Sequence, residues 1–555
     1  MITRRRMLGT SGAAMSAAML VACGRKADTT TREASPAAAT GQAAATSAAT
    51  QAPVAAATVP AGKPGGTFVF PGDDLQQLDF QRTISTPTQD ASSLVFSRLM
   101  VYDPYTDLNT YVLRPDLAES WEQTPDRITF KLRKGVKWQN TAPLNGRELT
   151  AQDIKYSLER VGTAKPEYVH AYKVELIQAI ETPDASTLVL KLKQPSASIM
   201  TDIASGQGMG VVPREIIEAD GDLDKRWVGS GPFMLDKWEK GSYIRFLKNP
   251  TYYKPGLPYL DVIERRFIRD PSTALANFIA GQLQYFATDT KEAAEQIRKS
   301  TKATIQSFPN LGGTHKVYNV GPKGIPQLRD LRVRQAIDMT LDRDKLLDLV
   351  LGGDGVWGGT FVPLGFGEWS LPESEIKKMF APNLTEAKKL LDAAGITRLQ
   401  VTNEYSNIST FSQDEGPLMK EMLAKIGIEL VLKPQERTIY LQSQVDSDFI
   451  LQGIGMGAYP DPDNYLYPTF HTRGSKNYGK ASDPELDKKI EKQQTILDRN
   501  ERVKYMKEIQ REWQKYLFRT YSVYPNSHQA WQPAIKGAFV RKGWDWQGME
   551  AVSFA

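Results

Sequence analysis

The chain has 555 residues and 41% hydrophobic content, too long for a single hydrophobic core, so two or three domains are expected. Glycine and proline usage is ordinary, and the net charge of +5 is weak for this length; collagen-like, wholly disordered and generally nucleic-acid-binding chains are excluded. One cysteine excludes a disulfide framework, an iron–sulfur cluster and a Cys-based zinc site within one chain. At the start of the chain, Arg4-Arg5-Arg6 precede an apolar, small-residue run from Met7 to Ala22 that carries no charge. A positive segment followed by an apolar one too short to span a bilayer reads as an export signal over residues 1–22. Its three arginines supply three of the five net positive charges, so basicity says little about partners.

The lone cysteine is Cys23, and Leu20-Val21-Ala22-Cys23 resembles the lipobox of bacterial lipoproteins. That resemblance implies cleavage before Cys23 and lipidation of its sulfur, with two or more acyl chains giving a stable membrane anchor. Thr3-Arg4-Arg5-Arg6-Met7-Leu8 resembles the twin-arginine export motif, with Met7 in place of the usual Phe and no Lys after Leu8. Residues 23–64 follow as a tether: from Ala34 to Ala61 half the positions are alanine, mixed with Thr, Ser, Gln and Pro. Such a segment has too little apolar area to pack and is expected to hold the folded body off the membrane.

Order is expected from Gly65-Gly66-Thr67-Phe68-Val69-Phe70 onward. Ile128, Phe130 and Leu132 alternate with polar residues, as do Leu188, Leu190 and Leu192, which predicts two half-buried strands. Val333, Ala336, Ile337, Thr340 and Leu341 recur at helical spacing. Asp342 is placed to cap a second helix that Gly352-Gly353 ends, and Ser482-Asp483-Pro484 reads as another cap with proline in the first turn. Val503, Met506, Trp513 and Leu517 predict one long amphipathic helix. Mixed strands and helices without a fixed repeat place the chain in the α/β or α+β class.

Catalytic apparatus is not legible. The four histidines (His170, His315, His471, His528) are far apart, and no HExxH, GxSxG elbow or GxxxxGK[ST] loop occurs in the folded part. No metal site or cofactor is therefore expected. The glycine-dense stretches at 206–210 and 453–457 do not complete GxGxxG and read as loop or close-packing glycines. Asp461-Pro462-Asp463 offers paired carboxylates, for which a turn with solvated acids is the leading reading. Arg332 and Arg334 read as solvated or ion-paired.

Several blocks, taken together, resemble the family 5 extracellular solute-binding proteins, the peptide, nickel and oligosaccharide receptors of ABC importers. Pro115-Asp116-Leu117-Ala118-Glu119-Ser120-Trp121 is followed by Thr129-Phe130-Lys131-Leu132-Arg133-Lys134-Gly135-Val136-Lys137-Trp138, then by Leu149-Thr150-Ala151-Gln152-Asp153-Ile154. Val228-Gly229-Ser230-Gly231-Pro232-Phe233, Asn249-Pro250-Thr251-Tyr252-Tyr253, Asp330-Leu331-Arg332-Val333-Arg334-Gln335-Ala336 and Tyr459-Pro460-Asp461-Pro462-Asp463-Asn464 continue in family order. The resemblance implies a two-lobed periplasmic-binding-protein-like α/β fold (type II) with an extra inserted domain and a hinge between lobes. On it, domain I spans 65–103, 228–310 and 524–555, domain II 104–227 and domain III 311–523, with crossovers near Pro309-Asn310 and Tyr524-Pro525.

The implied function is a monomeric, lipid-anchored receptor on the outer face of the cytoplasmic membrane. It closes two lobes on a solute and delivers it to the permease subunits of an ABC importer. Thr88 and Gln89, in the Thr86–Gln89 segment, should serve domain I; Gly455, Met456, Ala458, Tyr459 and Asp461 should line the domain III wall. In peptide-binding relatives an aspartate pairs with the peptide amino group where this chain has Ala458. The family tryptophan is replaced by Gly455 or Met456, and an upstream arginine by Gln452. A buried ammonium without a partner costs several kcal/mol, so the expected ligand is one other than a plain peptide, or one held by main-chain contacts. Neutral oligosaccharide is the leading specific expectation, with Trp357, Phe361, Phe366 and Trp369 as stacking faces; the alternative is that these rings are core. Rival readings are a secreted enzyme, since twin-arginine export often carries redox enzymes, or a signalling or chaperone-like receptor on the same scaffold.

Overall fold

The Arg127–Leu132 strand buries Ile128, Phe130 and Leu132 and turns Arg127 and Lys131 to solvent, as period-two alternation requires. Each buried side chain of that kind stabilises by about 1.5–3 kcal/mol. The computed structural model describes residues 61–104, 112–310, 313–455, 461–539, 545–546 and 548–555. In it this strand pairs antiparallel with Ala118–Gln123 and Thr187–Leu192, and Ile177–Asp184 completes a four-stranded sheet. The Ala151–Val161 helix packs on that sheet. Its first turn is closed by a capping box between Thr150 and Asp153.

Two further large sheets belong to the first lobe, beside the two-stranded pairs Met100–Tyr102 with Leu113–Pro115 and Ile535–Lys536 with Ser553–Phe554. Thr67–Gly72 pairs in parallel with Val262–Phe267, which continues antiparallel into Tyr243–Lys248 and Phe233–Glu239. The nine-residue strand Val523–Trp531 lies between Tyr285–Thr288 and Thr304–Pro309. The amino-terminal end of the same strand pairs with Gly355–Trp357. One continuous strand thereby joins this lobe to the next.

The second lobe is a five-stranded mixed sheet drawn only from residues 314–520. Its strands are β1 (Thr314–Tyr318), β2 (Leu399–Ser406), β3 (Ile428–Gln435), β4 (Leu451–Gly455) and β5 (Arg519–Thr520), in the order β3-β2-β4-β1-β5. Helix α1 (Thr410–Ala424) links β2 to β3 and α2 (Arg437–Val445) links β3 to β4. Because β2 is parallel to both β3 and β4, the chain leaves β2 in one direction and returns on its other side. Beyond β4 lie α3 (Asp463–Phe470), α4 (Pro484–Thr495) and α5 (Arg499–Arg511).

The capping signals hold in detail. Asp342 accepts from the Lys345 amide at 3.0 Å, Asp483 accepts from Glu485 and Leu486 with Pro484 in the first turn, and Gly352 ends its helix at φ 57°. Two expectations are corrected. The helix predicted to run through Trp513 and Leu517 ends at Arg511: Trp513–Lys515 tightens into a 3₁₀ turn and Leu517 takes φ 33°. Arg334 is buried, unlike exposed Arg332 beside Asp330, and donates to the carbonyls of Leu328, Arg329, Tyr516 and Leu517. A guanidinium has enough donors to satisfy several chain ends at once, and here it stitches that same irregular turn to the Leu331–Thr340 helix.

Candidate functional site

The change of winding about β2, with β3 on one side and β4 on the other, makes a topological switch point at the carboxyl ends of β2 and β4, the place where the crevice of an open α/β sheet binds ligands. The β2–β4 ladder pairs only Asn403 with Leu451 and Glu404 with Gln452, while β2 continues beside β3 to Ser406. Gly453–Gly455 therefore run past the end of that ladder, held on the other side by β1. Tyr440 of α2 donates to the Gly453 carbonyl at 2.6 Å. Gly455 is exposed, and a Cβ built there meets nothing within 4 Å among the described residues.

Beneath this wall lies a buried ion pair. Lys316 on β1 is opposite Gly453, and its Nζ is 2.5 Å from Glu415 of α1, both side chains being almost wholly buried. Ser522 donates to the other carboxylate oxygen. A Cβ at Gly453 would sit 3.2 Å from the Lys316 ammonium and press on this pair. Ser409 caps α1 at the crevice by accepting from the Ser412 amide, and Ile408 just before it is exposed, as is Ile439 in the first turn of α2. The described residues here are the main chain and glycines of β4, exposed Ile408 and Ile439, the buried Lys316–Glu415 pair, and buried Glu404 at the end of the β2–β4 ladder, which accepts from Lys433 and Gln435.

The Asp-Pro-Asp motif is a buried, paired cluster and not a solvated turn. Asp461 is buried and held bidentate by Arg502 of α5 at 2.6 and 2.7 Å. Asp463 accepts from Gln493 and, at 2.9 Å, from Gln494 of α4. Burial raises the Asp463 carboxyl above its ordinary value, against the opposing pull of Arg502. Sequence reasoning missed Arg502, Gln493 and Gln494, which are far from the motif along the chain and join it only through helix packing.

Among the expected site residues, Thr88 and Gln89 are buried in the Thr86–Val95 helix. Thr88 donates to the Gln77 carbonyl at 2.8 Å, and the Gln89 amide donates to the Phe80 and Thr83 carbonyls, each at 2.6 Å. The Gly208 amide in turn donates to Gln89 at 2.9 Å. Gly455 is on the crevice wall. Trp357 and Phe366 are 4% and 5% exposed, in the interior with Phe361 and Trp369. The aromatic cluster is core, which corrects its reading as a sugar-stacking platform: Phe361 packs on Trp513, and Arg499 and Arg502 cover Trp369. Met456, Ala458 and Tyr459 lie outside the described residues, as does Cys23. Among the described residues no helix is long and apolar enough to cross a membrane, and no group of three or more His, Cys, Asp or Glu is arranged to hold a metal.

Residues 112–477 match the model of the bacterial extracellular solute-binding proteins, family 5 Middle. The oligopeptide-binding protein AppA of Bacillus subtilis is 28% identical over 517 residues, covering 86% of this chain and 90% of that protein. The fold is shared with DppA of Helicobacter pylori, solved with the peptide STSA, at a TM-score of 0.75 and 22% identity, over 89% of this chain and 98% of that one. It is also shared with AppA from Bacillus subtilis, solved with a nonapeptide, at a TM-score of 0.73 and 22% identity, over 89% and 100%.

Proposed function

This chain belongs to family 5 of the bacterial extracellular solute-binding proteins, and from that premise we propose that its solute is a peptide held in the crevice chiefly through its main chain. The observation that carries this reading is the edge of β4 at Gly453–Gly455, which runs beyond its ladder with β2. An extended peptide can add to such an edge by main-chain hydrogen bonds, with side-chain pockets left to tune preference. The relatives bear names or bound ligands of the same class: AppA is called oligopeptide-binding, and DppA holds a four-residue peptide. Where those receptors are expected to anchor the ligand amino group, this chain has Ala458. The peptide terminus then contributes little, and length is open.

The lobes close on the peptide about the segments at Pro309-Asn310 and Tyr524-Pro525, where the Asn310 amide donates to the Pro525 carbonyl at 2.8 Å. This arrangement supports the partition into domain I (65–103, 228–310, 524–555), domain II (104–227) and domain III (311–523). The receptor is a monomer anchored through Cys23, exported by the twin-arginine route and tethered by residues 23–64. It hands peptide to the permease of an ABC importer and carries out no chemistry of its own.

Titration calorimetry with di- to nonapeptides, free and N-acetylated, alongside neutral oligosaccharides, tests the reading. Acetylation should change affinity by less than about threefold, since no desolvated charge pair is lost. A loss above about tenfold on acetylation, or binding of oligosaccharide in place of peptide, would overturn it. Cys23→Ser should release the protein from the membrane fraction.

A further inference from the structure

The two lobes touch at a place the crevice does not include. In the first lobe, Ser196–Asp202 leads into and begins the Ile199–Ala204 helix. In the second, the Asp-Pro-Asp turn opens α3. Two hydrogen bonds cross between them. The Ala197 amide donates to the Gln494 carbonyl at 2.8 Å. Asn464 donates through Nδ2 to Asp202 Oδ1 at 2.7 Å. Ser198 also faces Asp463 at this contact. The second-lobe half is rigid, because Arg502, Gln493 and Gln494 already hold both aspartates of the turn.

We propose that Asp202 and Asn464 are positioning residues forming a latch that favours the closed pair of lobes, and that closing the latch takes up a proton at Asp202. The proposal rests on the reading of a receptor whose lobes close on a ligand, and assigns the regulation of that closure. Asp202 approaches the carboxylates Asp461 and Asp463 of the other lobe, and lies near Lys173 of its own. Lys173 donates to Ser205 Oγ at 2.6 Å and to the Gln207 carbonyl at 3.1 Å; Lys476 and Arg98 face it, and Arg502 faces Asp202 from α5. Asp202 is half-buried; its partial desolvation first, then the two facing carboxylates, raise its carboxyl, while Lys173 and the Asn464 donor act the other way. Desolvation lowers Lys173. Opening the lobes returns Asp202 to water and to its ordinary value. Between that value and neutrality the closed form therefore holds more protons than the open form. Closure weakens as pH rises, by up to about tenfold per pH unit for one proton.

The Ala197 amide reports closure directly, because its acceptor is on the other lobe. Hydrogen exchange of the full chain without ligand, corrected for the intrinsic pH dependence of exchange, should show Ala197 protection falling several-fold from about pH 5.5 to about pH 7. The Leu192 amide, bonded within its own lobe to the Asp126 carbonyl at 2.8 Å, should show no such trend. Asp202→Asn keeps an acceptor for Asn464 and should flatten the Ala197 profile. Asn464→Ala should lower Ala197 protection at every pH while sparing Leu192. A flat wild-type profile, or an Asp202→Asn profile as steep as wild type, overturns the proposal. If Asn464→Ala also lowers Leu192 protection, its fold is damaged and the Asp202→Asn profile decides. No peptide is present, so a failure of peptide binding and a failure of the latch are seen separately.

Discussion

The crevice beyond β4 and the turn that opens α3 are separated by only a few residues along the chain, yet they handle charge in opposite ways. At the turn, two aspartates, one arginine and two glutamines are buried together and pair with one another. At the end of β4 the described residues are mostly backbone and glycine, and the buried charges beside it, Lys316 with Glu415 and Glu404 with Lys433, are paired. The two aspartates of the turn are spent on architecture, and Ala458 stands where the family resemblance implies a charged ligand anchor. A paired buried charge fixes geometry, because removing one partner leaves the other desolvated. An uncharged edge leaves the ligand free to vary in its ends.

The comparison breaks most sharply at Arg502. Arg502→Met leaves Asp461 buried without its cation and should destabilise by about 3–5 kcal/mol, read by thermal or urea unfolding. Lys316→Met should cost about 3 kcal/mol, since Glu415 keeps only the Ser522 hydroxyl. Pairing it with Glu415→Leu should recover most of that loss, because removing both charges removes the desolvation problem. Gly455→Val should leave stability within about 0.5 kcal/mol and weaken peptide binding at least about tenfold, or about 1.4 kcal/mol. Should Gly455→Val bind as tightly as wild type, the edge of β4 is not the ligand wall.

Much of the local fold could be read in advance. Ile128, Phe130 and Leu132 are buried as their alternation implied, and Asp342 and Asp483 cap the helices they precede. These features rest on neighbours a few residues apart, where periodicity and capping chemistry act. The Asp-Pro-Asp motif shows where such reasoning stops: the solvated turn suggested by local chemistry is a buried cluster, because Arg502, Gln493 and Gln494 arrive from two later helices. Arg334 was misread for the same reason, its carbonyl partners Tyr516 and Leu517 lying far down the chain. The aromatic stretch from Trp357 to Trp369 carried no signal to separate a platform from a core; packing against Trp513 decided it.

By itself the sequence determined the class of the molecule, a mixed α/β body with family blocks running in order through its length, and it raised the expectation of an export segment and an attachment at Cys23. Those properties are written in local composition and in motifs that survive divergence. Only the tertiary structure decided which charges are spent on architecture, where β4 outruns its ladder, and where Asn464 reaches Asp202 across the lobes. Burial and long-range pairing set the energy of a charged group, and neither is a property of its neighbours in sequence.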